Sequence, residues 1–224
     1  MSKKYLVLLA AVSFWAVGSV CSAVSITVGA AGAPNTATTT AAVKISKDAG
    51  VTKFAKVWNE AKLLNDKIRI LQDDLTAQMD ILSGLDQLDN AGQLKAVNKA
   101  ITQINATLVV VDKQNVKLVA LKNAAATIKD KKIKPSAQRL AKDYVEISKL
   151  FKEMFTAEKE VLVLLKTALT NQAKGKPVGN DFLTKINAFQ KKIEVTGAKL
   201  DQPSKDADLA KAEFEGLTGI KLAK

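Results

Sequence analysis

The sequence predicts an all-α protein: an elongated antiparallel bundle of three long helices, a shorter fourth helix and a short C-terminal helix, preceded by a signal peptide and a flexible leader. Two observations predict this fold class. Apolar residues recur at heptad spacing from about Asp48 onwards, which is the pattern of helices with one buried face. Aromatic residues make up only 5% of the 224 residues, and Ala, Leu, Val and Lys are abundant, as in proteins built from long helices.

The first 23 residues predict a secretory signal peptide. Lys3 and Lys4 precede an uncharged run over residues 5–17, and small residues follow as far as Ala23. The run is shorter than the roughly 20 residues that a membrane span needs. We therefore expect cleavage near Ala23, a secreted or periplasmic protein, and no transmembrane segment in the mature chain. Lipidation of Cys21 is the less favoured alternative, because Val20 stands where lipoprotein signals carry a small residue.

The chain after Ala23 contains neither cysteine nor histidine, so disulfides play no part in the predicted fold. Residues 24–46 are rich in Gly, Ala and Thr without a helical period, and they predict a flexible leader. The whole chain carries a net charge of +12, which falls to +10 without Lys3 and Lys4. Residues 91–134 hold most of the excess, with 9 basic and 2 acidic side chains.

The first predicted helix starts near Asp48 and weakens at Gly84. Two rows of mostly apolar residues with heptad spacing predict it, one formed by Phe54, Ala61, Ile68, Leu75 and Leu82, the other by Val57, Leu64, Leu71, Gln78 and Leu85. A turn over residues 89–92, with Asn90 as the predicted cap, leads to the second helix. Because the turn is short, we expect the two helices to be antiparallel.

The second helix carries an apolar row that keeps its heptad spacing up to Val111. The row then changes phase at Asn115 and continues to Ile128, which predicts a local stammer. Pro135 ends this helix in the prediction, because proline lacks the N–H that a continuing helix needs. Ser136 is then the predicted cap of the third helix.

The third helix, predicted over residues 136–174, has the widest apolar stripe, so we expect it to pack against two neighbours. Gly175 and Pro177 stop it. A fourth helix over residues 181–200 is about half as long; Pro203 is predicted to end it before a short fifth helix over 204–216. The predicted divisions are a signal peptide (1–23), a leader (24–46), a helical bundle (47–202), and a C-terminal helix with a tail (203–224).

Asn115 and Glu158 are polar residues at predicted seam positions of the second and third helices. Counted back from the turn near Ile133, they should lie within about one helical turn of each other. A buried polar layer of this kind fixes the register between helices at some cost in stability. This structural interpretation is favoured over a solvent-accessible edge of the bundle and over a ligand or ion site.

Four lysines gather at the predicted end of the second helix: Lys129, Lys131, Lys132 and Lys134. They are candidates for contact with an anionic surface, either lipid or acidic polysaccharide, because neighbouring lysines create a positive field. The favoured alternative is that they only interact with the dipole at the helix C-terminus. Nucleic acid is disfavoured as a partner, because the protein is predicted to be exported and no aromatic side chains lie among these lysines to stack on bases.

The sequence contains no motif of a known catalytic chemistry. It lacks a Ser-x-x-Lys pair, a nucleophile elbow, a Gly-rich phosphate loop and a metal-binding His motif. The carboxylate pairs Asp73–Asp74 and Glu158–Glu160 point in different directions on a helix, so we expect them to be solvated. We therefore predict that the protein is not an enzyme and holds neither a cofactor nor a metal.

The first functional hypothesis is a structural or interaction role at the cell envelope or outside the cell, with a protein or an anionic polymer as partner. In type, the chain resembles periplasmic holdase chaperones with long helical arms, which are also exported, basic and free of cysteine. That resemblance, which carries over no residue, implies a holdase as one alternative, beside a binder of anionic surfaces. A membrane-active bundle is another, because of the apolar run Val161–Leu165. Self-association stays open, since heptad seams can be buried within one chain or between chains.

Overall fold

The computed structural model describes residues 45–179 and 181–223, and over these residues the chain forms α-helices and no strand. The predicted signal peptide and all but the last two residues of the predicted leader lie outside the described residues. The helices are α1 (Ala49–Ser83), α2 (Asn90–Thr127), α3 (Lys134–Ala173), α4 (Phe182–Ala198) and α5 (Asp201–Thr218), with a 3₁₀ turn at Leu85–Gln87. The all-α prediction is confirmed. None of the described helices is long and apolar enough to cross a membrane.

α1 begins at a capped N-terminus and buries its first heptad row. The Asp48 carboxylate accepts a hydrogen bond from the backbone N–H of Gly50 at 2.7 Å, which satisfies one of the free donors of the first turn. All five residues of the predicted row are buried: Phe54, Ala61, Ile68, Leu75 and Leu82. These side chains pack within the one chain, so self-association would have to use other surfaces.

α1 and α2 run antiparallel. Glu60, near the start of α1, pairs with Lys117 near the end of α2, with 2.7 Å between the carboxylate and the ammonium group. Asp74, further along α1, accepts a hydrogen bond from Gln103, which lies earlier in α2. α2 begins with Asp89 as its cap, accepting from the N–H of Gly92 at 2.7 Å, one residue before the predicted cap.

The buried row of α2 has no stammer. It continues in one heptad phase along the helix through Val97, Ala100, Ile104, Thr107, Val111, Gln114, Leu118, Leu121, Ala125 and Ile128, all of them buried. The predicted phase change is wrong because two seam positions are polar. Thr107 donates its hydroxyl to the backbone oxygen of Gln103 at 3.1 Å, and Gln114 is hydrogen-bonded across the bundle.

α2 ends earlier than predicted, at Thr127, and α3 begins at Lys134. Pro135 lies in the first turn of α3, where the missing N–H has no helical partner to lose. Ser136 is therefore inside the helix, and its hydroxyl donates to the backbone oxygen of Ile133 at 2.7 Å instead of capping. Residues 128–133 form the turn between the two helices.

α4 and α5 together form the fourth arm of the bundle, with a break at Lys199 and Leu200. Pro203 was predicted to end the fourth helix, but it lies in the first turn of α5. A proline ring clashes with the carbonyl four residues before it, which is that of Lys199, so the chain breaks there and restarts as α5. Both short helices pack on α3, and Glu213 of α5 pairs with Arg139 of α3.

The segment 203–224 shares the core of the bundle. Phe214 of α5 is fully buried and packs on Phe54 of α1, with 4.9 Å between ring centroids. After α5 the chain turns at Gly219, in the left-handed conformation (φ 67°), and lies over Trp58. The Trp58 indole N–H donates to the backbone oxygen of Ala223 at 3.2 Å, which ties the C-terminal tail to α1.

Candidate functional site

Six lysines belong to one end of the bundle, where α1 begins next to the α2–α3 turn: Lys47, Lys53, Lys129, Lys131, Lys132 and Lys134. We call this group the basic end. The four predicted lysines occupy the α2–α3 turn and the first position of α3. The start of α1 brings Lys47 and Lys53 beside them, because Lys47, Lys53 and Lys129 line one open depression. No sequence pattern links these two lysines to the other four, because they are about 80 residues away in the chain.

Asp48 joins the start of α1 to the α2–α3 turn. One carboxylate oxygen accepts from the Gly50 N–H, and the other accepts from the backbone N–H groups of Lys129 at 2.8 Å and Asp130 at 3.0 Å. These hydrogen bonds, that from Asp130 most strongly, lower the pKa of Asp48, although partial desolvation acts in the opposite direction. The carboxylate thus fixes the backbone of the turn relative to α1.

Gly50 allows the first turn of α1 to approach the end of α2 closely. A Cβ atom at this position would lie 2.8 Å from backbone atoms of Thr127 and Ile128, which is too close for any side chain. The close backbone contact and the Asp48 hydrogen bonds act at the same point. Together they hold the backbones of Lys47, Lys53 and Lys129 in fixed relative positions.

The charge of the basic end is not balanced by ion pairs. Five of the six lysines are exposed and Lys134 is half-buried, and none of them forms an ion pair with a described residue. The two carboxylates of the region bind backbone N–H groups instead. Asp48 does so as described above, and Asp130 accepts from the N–H of Lys132 at 2.8 Å. Six positive charges therefore stand against the two negative charges of Asp48 and Asp130, which leaves an excess of four positive charges.

The predicted lysine cluster lies just beyond the end of α2, and not within its last turn. The last turn of α2 contains no basic residue, because the helix ends at Thr127, before the first of the lysines. Lys134 is the first residue of α3, where the positive end of the helix dipole disfavours a cation. The choice between the helix dipole and an anionic partner as the reason for these lysines therefore stays a prediction.

Glu158 lies in the core of the bundle, as predicted, with 2% of its surface exposed. Its Oε2 atom is fully buried and has no hydrogen-bond partner among the described residues. Desolvation alone raises the pKa of this carboxyl from 4.5 to about 8. Glu158 is therefore protonated and neutral at pH 7 in the folded protein.

Asn115 does not share a layer with Glu158. Asn115 is only half-buried, and its neighbour Gln114 occupies the buried position. Gln114 accepts a hydrogen bond from Ser148 of α3 at 3.1 Å and donates one to Asn65 of α1 at 3.3 Å. Ser148 precedes Glu158 by ten residues on α3, about 15 Å along the helix. A buried polar layer exists, but it consists of Asn65, Gln114 and Ser148.

The remaining sequence candidates fall in the core or on the surface. In the apolar run Val161–Leu165, Val161, Leu162 and Leu165 are buried, so the described structure uses the run for packing. Asp73, Asp74 and Glu160 are exposed, as expected for solvated carboxylates, but the same expectation is wrong for Glu158, which is buried. Among the described residues, no three His, Cys, Asp or Glu side chains come together in a way that could hold a metal ion.

In comparisons with known proteins, no family model, no curated protein and no solved structure matches the chain.

Proposed function

We propose that this is an exported, non-enzymatic helical-bundle protein that binds an anionic surface at the cell envelope or outside the cell through its basic end. The observation that carries the proposal is that Lys47 and Lys53 from the start of α1 line one depression with Lys129 of the α2–α3 turn, and that none of the six lysines of the basic end forms an ion pair with a described residue. Cleavage of the signal peptide near Ala23 and an elongated shape of the bundle belong to the same proposal.

Uncompensated lysines at one end of a bundle favour binding to a polyanion for a simple electrostatic reason. Charges of one sign that are close together add their potentials and attract counter-charges over about one Debye length, roughly 10 Å at 0.1 M salt. The backbone of the basic end is fixed by Asp48 and Gly50, so little ordering of the main chain opposes binding. Elsewhere on the bundle several cations are neutralised, for example Lys117 by Glu60 and Lys152 by Asp112.

The test is binding of the chain from Val24 to a heparin column and to anionic vesicles, measured at about 0.1 M and about 0.5 M salt. Charge reversal at Lys129, Lys131 and Lys132, each to Glu, is expected to abolish retention at low salt. The matched control reverses Lys95, Lys99 and Lys176, which are exposed at the opposite end of the bundle, and gives the same net charge. Equal loss in both variants, or retention unchanged by salt, would rule out a specific basic end.

A holdase-type chaperone is the second candidate, because large apolar side chains are exposed on the outer faces of α1 and α2. Leu63 and Ile70, seven residues apart on α1, are 71% and 59% exposed, and Val116 on α2 is 70% exposed. Isolated apolar residues on a surface are common, so the test must be specific. Leu63→Ser with Ile70→Ser should reduce suppression of client aggregation, whereas Leu209→Ser on α5, equally exposed at 70%, should not. If no variant suppresses less than the parent chain, this candidate is excluded.

A further inference from the structure

We infer that the anionic surface is a phospholipid bilayer, and that the open depression lined by Lys47, Lys53 and Lys129 binds a lipid phosphate while Ile45 inserts beside it. This inference rests on the proposed function, because it names the partner of the same basic end. Two features of the end of the bundle support this inference, and the second of them favours a bilayer over an acidic polysaccharide.

The first feature is the set of groups around the depression. Three lysine side chains line it, and each ammonium group offers three donors, the chemistry by which lysine binds phosphate as a point charge. The only carboxylate in the lining is Asp48, whose two oxygens accept backbone N–H groups. Three lysines against one carboxylate leave the lining with two positive charges in excess, which favours binding of a phosphate.

The second feature is an exposed apolar side chain next to the lysines. Ile45 is 65% exposed and lies two residues before Lys47. Its neighbour Ser46 donates its backbone N–H to the oxygen of Thr218 at 2.9 Å, which fixes this part of the chain against α5. A bilayer can bury an apolar side chain at its interface while its anionic head groups bind the lysines. A hydrated polysaccharide offers no apolar layer for Ile45.

The experiment is co-sedimentation of the chain from Val24 with vesicles of phosphatidylglycerol and phosphatidylcholine, beside vesicles of phosphatidylcholine alone. Alanine at Lys47, Lys53 and Lys129 should weaken partition into the anionic vesicles by about 100-fold, since each lysine contributes about fivefold, equivalent to about 1 kcal/mol near such a surface. Alanine at Lys95, Lys99 and Lys176 is the control and should change partition by less than about threefold. Circular dichroism checks that each variant is folded.

Ile45→Ser separates the two sources of anionic charge. It should weaken binding to the anionic vesicles by at least about threefold, through the lost apolar contact, and leave elution from heparin unchanged. The bilayer inference is wrong if heparin retains the protein but the anionic vesicles do not. It is also wrong if Ile45→Ser and the substitutions at Lys47, Lys53 and Lys129 leave partition into the vesicles unchanged. In both cases the proposed function stands. If neither heparin nor anionic vesicles bind at low salt, the proposed function itself is wrong.

Discussion

Replacing Glu158 with methionine is expected to stabilise the protein at neutral pH and to remove a part of its pH dependence. The Glu158 carboxyl is buried in the bundle, and its Oε2 atom has no partner among the described residues. Methionine is unbranched, similar in length and adaptable in a core, so the substitution exchanges an unsatisfied polar group for an apolar one with little change in volume.

The size and sign of the effect follow from the pKa. Burial raises the pKa of Glu158 from 4.5 to about 8, so the unfolded chain loses this proton at a lower pH than the folded chain does. Below pH 4.5 Glu158 therefore costs the wild-type protein no stability through ionisation. The free energy of unfolding falls as the pH rises from 4.5 to about 8, and it levels off above about 8. At about 1.4 kcal/mol per pH unit, the loss at pH 7 is roughly 3 kcal/mol.

Urea unfolding at about pH 5, 7 and 8 measures this effect directly. Trp58 reports unfolding, because it is 2% exposed in the folded protein and is the only tryptophan in the chain after Ala23. The Glu158→Met variant should exceed the wild type in free energy of unfolding by less than about 1 kcal/mol at pH 5 and by roughly 3 kcal/mol at pH 7.

Glu160→Met is the matched control, because Glu160 lies on the same helix and is exposed. It should change stability by less than about 0.5 kcal/mol at every pH. The reasoning about Glu158 fails if the difference between Glu158→Met and the wild type is the same at pH 5 as at pH 8. Such a result would mean that the folded protein ionises this carboxyl as easily as the unfolded chain does.

Three further predictions concern the first part of α1 and its contacts with the α2–α3 turn and with the C-terminal tail. Asp48→Asn should lower the melting temperature at neutral pH but not in acid, and a melting curve at each pH tests this. The hydrogen bonds to the ionised carboxylate stabilise the fold above the ordinary pKa of 3.8, and this contribution is lost as the pH falls through the lowered pKa of the folded protein. Gly50→Ala should destabilise by about 1–3 kcal/mol through the backbone clash, whereas Gly216→Ala, with open space around its Cβ, should be neutral or stabilise by up to about 1 kcal/mol in the same urea titration. Deleting residues 220–224 should shift the fluorescence of Trp58 to longer wavelength, and an unshifted spectrum would show that the tail does not cover the indole.

The heptad row of α1 shows what sequence reasoning can predict about this fold. All five of its members are apolar and all five are buried, so the pattern in the sequence and the pattern of burial coincide. The helix could be placed to within a residue or two because Asp48 is a good cap and Gly84 a poor helix former. Helix caps and helix-breaking residues of the same kind predicted the number and order of the helices.

α2 shows where this reasoning stops. Its seam uses Thr107 and Gln114, whose polar atoms are satisfied by the helix itself and by side chains on other helices. A search for apolar residues skips Thr107 and Gln114. The predicted seam therefore ran through Asn115 and changed phase there. The partners that make Gln114 acceptable in a core, Asn65 and Ser148, belong to other helices and become visible only when the helices are packed.

Pro135 and Pro203 were predicted to end helices, although each lies just inside the start of a helix. A proline is compatible with the first turn, where N–H groups have no helical acceptor, and it is incompatible with a carbonyl four residues earlier. The chain therefore breaks before Pro203, at Lys199 and Leu200, and α3 starts at Lys134 just before Pro135. Because α2 ends at Thr127, the four lysines predicted at its end lie in the α2–α3 turn and at the first position of α3.

The basic end depends on long-range structure in the same way. The sequence groups four of its lysines, but Lys47 and Lys53 join them only because Asp48 binds the N–H groups of Lys129 and Asp130 across about 80 residues. The same hydrogen bonds keep the Asp48 carboxylate ionised, so it offsets one of the six lysine charges and Asp130 offsets a second. One contact thus caps α1 and fixes the turn, and the excess of four positive charges that is left at this end of the bundle is the basis on which we propose an anionic partner.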